Sequence, residues 1–125
     1  MKTLKNLILE RLKLSKDTQL SKENLYLIFP SNTGKDIFYN KYNKNFKRII
    51  YSKGLQRFEV FIFSSFDNPS NILKNFNNDL HTFIWKLPND FDIDEFENWF
   101  TDHNRGFLGN NIIKLINNKL NINHY

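Results

Sequence analysis

The sequence contains no cysteine and no alanine, a single valine (Val60), four glycines and three prolines. Without cysteine there are no disulfides, no thiolate nucleophile and no cysteine-based zinc site, which fits a cytosolic or virion-interior protein. No apolar run approaches the roughly 20 residues of a membrane span. The segment Met1 to Leu14 is interrupted by Lys2, Lys5, Glu10, Arg11 and Lys13, so it lacks the unbroken apolar centre of a secretory signal. No Pro/Gly/Ser-rich linker, repeat or low-complexity tract divides the chain, and 125 residues fit one domain that buries about two-thirds of its unfolded surface.

What is present is equally lopsided: twenty asparagines and thirteen phenylalanines. Together with many Lys, Ile and Tyr residues, this is the product of AT-rich codons, so the asparagines and part of the +5 net charge read as base composition rather than chemistry. At 40% hydrophobic and 16% aromatic the chain is far from the signature of disorder, and the core must be rich in Phe. Charge is segregated. Residues 1–57 balance to +9, residues 58–109 to −6 and the last sixteen to +2, which predicts a bipolar surface.

Periodicity predicts an α+β domain over 1–125, a mostly antiparallel sheet with helices packed on it. Leu4, Leu7, Ile8 and Leu12 fall at helical spacing over about residues 3–14. Leu25 to Phe29 is an apolar run closed by Pro30 and by Ser31-Asn32-Thr33-Gly34, read as a buried strand followed by a turn. Residues 36–44 suit either a helix or a strand. A hairpin over about 46–63 turns at Lys53-Gly54, in a register that sets Ile49 against Phe58 and Arg48 against Glu59. Phe61 and Phe63 then lie on the face opposite Phe58, Val60 and Ile62. Asn68-Pro69 opens a helix that ends near Asn77-Asn78. A strand follows over 80–87, and Asp92-Ile93-Asp94-Glu95 reads as a capping box flanked by Phe91 and Phe96, with Gly106 as the stop. A last helix over 111–120 places Ile112, Leu115, Ile116 and Leu120 on one face.

No motif for catalysis, metal or cofactor binding survives inspection. Asp90, Asp92 and Asp94 open like a calcium loop, but the sixth and twelfth positions are Glu95 and Thr101 instead of Gly and Glu. His81, His103 and His124 have no partners at ligand spacing, and Ser31, Ser64 and Ser65 sit in no nucleophile elbow. Two surfaces remain as candidates for binding. The helix after Asp92 sets Ile93, Phe96, Trp99 and Phe100 on one stripe and the acids Asp94, Glu95, Glu97 and Asp102 on the other, which suits a protein partner with a basic groove if an aromatic is exposed. Lys41, Lys44, Lys47, Arg48, Lys53 and Arg57 interleave with Tyr39, Tyr42, Phe46 and Tyr51, the ingredients of single-strand or RNA binding, although no RNP-type signature is present.

The opening Met1-Lys-Thr-Leu-Lys-Asn-Leu-Ile-Leu-Glu10 resembles the leader of internal head proteins of large tailed phages, in which an amphipathic helix precedes an apolar-x-Glu cleavage site, here Ile8-Leu9-Glu10. The resemblance covers ten residues and implies a phage protein packaged with the capsid. Composition and surface together predict a small non-enzymatic protein of a phage or similar mobile element that binds a larger protein of phage or host. It would be a virion component or an inhibitor, located in the host cytoplasm or the virion interior, with no cofactor and no membrane association. The alternatives are a basic nucleic-acid-binding protein or small ribonuclease toxin, and a toxin immunity protein.

Overall fold

The computed structural model describes residues 23–42, 45–102 and 111–125. The helix expected at 3–14, the leader-like segment, Lys44, His103 and the stop at Gly106 lie outside those residues. The described elements are β1 (Asn24–Phe29), α1 (Asn32–Lys41), β2 (Phe46–Lys53), β3 (Gln56–Ser65), α2 (Pro69–Asn75), β4 (Phe83–Leu87), α3 (Ile93–Phe100) and α4 (Asn111–Leu120). The strands form one antiparallel sheet in the order β2-β3-β1-β4. Both helical connections, β1-α1-β2 and β3-α2-β4, skip over one strand. Two such split βαβ units make the ferredoxin-like arrangement.

An α+β domain was expected, and the structure has one, with an additional layer. Tyr26, Ile28, Phe61, Phe63 and Ile84 are buried under Phe38 of α1 and Ile72 and Phe76, from α2 and its end. On the opposite face, Leu27, Ile49, Tyr51, Val60, Ile62, Trp85 and Leu87 are buried under Phe96 and Phe100 of α3 and Ile112 and Ile116 of α4. Successive strand residues point to opposite faces, so the uninterrupted apolar runs of β1 and β3 supply both cores at once. Two polar side chains of these layers are matched: Trp85 Nε1 donates to Asn117 Oδ1 at 2.7 Å and the Tyr26 hydroxyl to the Asp67 carbonyl at 2.7 Å.

The hairpin is present two residues out of the expected register. Its turn residues are Gly54 and Leu55, and the strands pair Ile49 with Val60, Ile50 with Glu59 and Lys53 with Gln56. Gly54 has φ +59° and Leu55 does not share the positive φ, the pattern of a II′ turn with Gly first, which suits the twist of the flanking strands. A shift of two preserves every residue's face, so the expected Arg48–Glu59 pair still forms, diagonally.

Ser31 to Gly34 is the start of α1 and not a free-standing turn. The Ser31 hydroxyl accepts from the Gly34 N–H at 3.0 Å as an N-cap and donates to the Asp79 carboxylate. Thr82 joins them, accepting from the Ser31 N–H at 3.2 Å and donating to Asp79 at 3.2 Å. Asp79 also accepts from the His81 N–H, and these bonds, that from Ser31 foremost, hold its carboxyl below the usual range. This turn occupies residues 79–82, so β4 begins at Phe83 and His81 is an exposed turn residue, where a strand from Leu80 was expected. The helix at Asn68-Pro69 forms with its expected cap, Asn68 Oδ1 accepting from the Asn71 N–H at 2.9 Å. Asp92 caps α3, accepting from the Glu95 N–H at 3.0 Å, and Phe91 packs on Phe96 with ring centroids 5.7 Å apart. The reciprocal half of that box is absent among the described contacts, because the Glu95 side chain bonds Lys119.

Gly34 is required by this cluster. A Cβ there would lie 2.8 Å from Thr82 Oγ1 and 3.1 Å from the Pro30 Cβ. Thr82 is held by its bonds to Ser31 and Asp79 and cannot yield cheaply. Replacing a helical Gly by Ala ordinarily gains about 0.8–1 kcal/mol, while overpacking costs about 1–3 kcal/mol. Gly34→Ala is therefore expected to destabilise the protein in spite of its helix propensity. Chemical denaturation checks it: a midpoint equal to or above wild type would show that the contact yields.

Candidate functional site

Glu59 stands in β3 two residues before Phe61, on the same face of the sheet. Two arginines close over it. Arg48 of β2 donates through Nη2 to Oε1 at 2.9 Å and through Nε to Oε2 at 3.3 Å; Arg57 of β3 donates to Oε1 through Nη2 at 3.0 Å and Nε at 3.1 Å. The carboxylate side chain is 6% exposed, whereas Arg48 and Arg57 are 40% and 57% exposed. Burial pushes the Glu59 carboxyl up, but the hydrogen bonds from Arg48 and Arg57 and the charge of Lys35 outweigh it and hold it below its ordinary range. The result is a buried anion that fixes two outward-facing guanidiniums. Lys35 and Tyr39 of α1 lie beside them, and Lys35, Arg57 and Glu59 share a shallow groove of about 500 Å³ with Phe29, Phe58 and His81.

The expected basic residues separate. Lys47 points to the opposite face, where its ammonium meets Glu97 of α3 at 3.3 Å, while Lys41 and Lys53 are exposed at the end of α1 and at the hairpin tip. Their aromatic companions are mostly withdrawn from solvent: Tyr51 is fully buried, Tyr42 and Phe46 are half-buried, and Tyr39 alone of the four is exposed, at 37%. The acidic helix also changes character. Glu97 is taken by Lys47 and Glu95 by Lys119, while Asp94 and Asp102 are exposed. Phe100 is a correction: it is fully buried against Tyr51 and Phe96, so it cannot serve as a surface anchor. The helix needs two inward positions one turn apart, and Phe96 and Phe100 are those positions. Trp99 is half-buried on Phe96 at 5.6 Å, with the Lys119 ammonium 5.8 Å from its ring centre.

Glu59 and Lys35 were not singled out as site residues. For Glu59 a signal existed: Arg57 and Glu59 are two apart in a strand and so share a face, on which Arg48 also lies. Lys35 could not be placed while the element after Pro30 was undecided. Among the described residues no group of three or more His, Cys, Asp or Glu could hold a metal ion, and no helix is long and apolar enough to cross a membrane. The chain matches no known family model, no curated protein and no solved structure.

Glu59→Gln should lower stability at pH 7 by about 1–3 kcal/mol, because it removes charged hydrogen bonds and leaves two guanidiniums without their shared anion. The sign with pH follows from the depressed carboxyl. Its contribution is complete above the unfolded carboxyl value of about 4.3 and fades as pH falls through the lower folded value. The stability gap between wild type and Glu59→Gln is expected to close in acid. Urea titrations at pH 7 and at about pH 3 check this, and a gap independent of pH would remove the ion cluster as its cause.

Proposed function

We propose that the chain is a small non-enzymatic protein-binding protein, of the kind that a phage or similar mobile element uses as a virion component or as an inhibitor of a host protein, working in the host cytoplasm or the virion interior. It holds an acidic partner on the hairpin face. The observation that carries this reading is the pair of guanidiniums fixed by Glu59. Each has five N–H donors and spends two on the carboxylate, so three remain on each for a partner's carboxylates. Because Glu59 restricts their rotamers, less entropy is lost on binding than with free arginines.

Three observations favour protein over nucleic acid. Base stacking needs exposed rings, and of Tyr39, Tyr42, Phe46 and Tyr51 three are half or fully buried. The sheet face that ferredoxin-like RNA-binding domains offer to bases is closed here by α3 and α4. Lys47 faces the other side of the sheet and is paired with Glu97, so the cations of β2 do not line up as one track for a phosphate backbone.

The test is capture by the tagged full chain from host cells, with and without nuclease, beside direct titration with single-stranded RNA. A protein retained after nuclease and lost from the Arg48→Ala/Arg57→Ala variant is the expected result. Nuclease-sensitive retention, or RNA binding whose log affinity falls steeply with log salt, would overturn the reading.

A further inference from the structure

The two edges of the sheet are not alike. Along β4 the C-terminal tail makes one backbone bond, the Tyr125 N–H donating to the Ile84 carbonyl at 2.9 Å. Along β2, which is eight residues long, no described residue pairs with the outer edge. Hairpin geometry decides which backbone groups that edge presents. A two-residue turn makes Lys53 and Gln56 a hydrogen-bonded pair, and bonded and non-bonded pairs then alternate along the ladder. The non-bonded pairs are Ser52 with Arg57, Ile50 with Glu59 and Arg48 with Phe61, so Arg48, Ile50 and Ser52 turn their N–H and C=O groups outward.

We infer that β2 is a docking edge for an extended acidic segment of another protein, which adds as a fifth main-sheet strand. This rests on the protein-binding reading and specifies its mode. The occupant follows from charge. Arg48 is exposed on the edge strand and Arg57 is exposed on the same face one strand further in, while Lys53 at the hairpin tip faces the other side, so alternate carboxylates of an added strand would meet the Arg48 guanidinium that Glu59 fixes, with Arg57 behind it. A second copy of this chain would bring the β2 cations Lys47, Arg48 and Lys53 to the edge and no carboxylate, so it offers Arg48 no counter-charge. Backbone pairing supplies the affinity and the carboxylates supply the selection.

The test uses the full chain and a capped nine-residue peptide alternating Glu with Val, followed by amide NMR and hydrogen exchange. Binding is expected to slow exchange at the Arg48, Ile50 and Ser52 amides. A peptide with Lys for Glu should bind roughly tenfold or more weakly. Ser52→Pro removes one outward N–H from an exposed position without deleting an internal ladder bond, and should abolish the protection. A peptide N-methylated at alternate residues keeps its side chains but not its pairing, so it gives the same answer should the proline variant fail to fold. No binding at about 1 mM peptide overturns the inference. So does binding that survives both Ser52→Pro and N-methylation. In either case the broader reading stands if cellular capture still depends on Arg48 and Arg57, and falls if it does not.

Discussion

Everything in this fold follows from β1 and β3 being apolar on both faces. A strand of that kind cannot lie at an edge or leave a face wet, so it must be central and the sheet must be covered twice. The chain order complies: β1 and β3 are the two inner strands, α1 and α2 close one face, and α3 and α4 close the other. Each large side chain so buried contributes about 1.5–3 kcal/mol, which makes the two layers decisive beside any surface ion pair. Lys47–Glu97, with both partners about one-third or more exposed, is worth at most about 1 kcal/mol and serves to seat α3 rather than to hold it.

The same double covering determines where charge remains available. α3 must turn its apolar stripe inward, which buries Phe96 and Phe100 and brings Glu95 and Glu97 within reach of Lys119 and Lys47. Glu95 and Glu97 of the acidic face are thereby matched within the molecule. On the other face an acid in β3, Glu59, needs cations to be buried at all. Burying Glu59 without partners would carry the full desolvation penalty of a charge, so Arg48 and Arg57 are structural before they are anything else. Their unspent donors are the groups that the proposed recognition of an acidic partner would use.

Much of this was legible in the sequence because face is a local property. Alternation assigned Phe61 and Phe63 to one side and Phe58, Val60 and Ile62 to the other, and a register error of two residues left all of those assignments intact. The caps at Asn68 and Asp92 and the Phe91–Phe96 contact were legible for the same reason: each lies within five residues of its partner. What could not be read is whatever depends on distant partners. Ser31 is a helix cap because Asp79 and Thr82, some fifty residues on, hold it in place, and that same cluster delays β4 to Phe83. The apolar stripe of α3 reads first as core, but that Phe100 rather than Trp99 is its fully buried member is fixed only when α3 is laid on the sheet.

The asparagines show how a codon bias becomes structure. With four glycines in 125 residues, the chain has few of the residues that enter left-handed conformations freely. Among the described residues, every non-glycine with positive φ is an asparagine: Asn45 at 54°, Asn77 at 58°, Asn78 at 52° and Asn121 at 56°. Asn77 and Asn78 stop α2, Asn121 stops α4, and Asn45 turns the chain into β2, the places where glycine is ordinarily found. Asn tolerates this region because its short amide can bond locally to the backbone, at a fraction of the strain a branched side chain would bear. Most of the twenty asparagines decorate the surface as the bias alone would have it. These four set where helices end and where β2 begins, so composition and conformation are inseparable at those points.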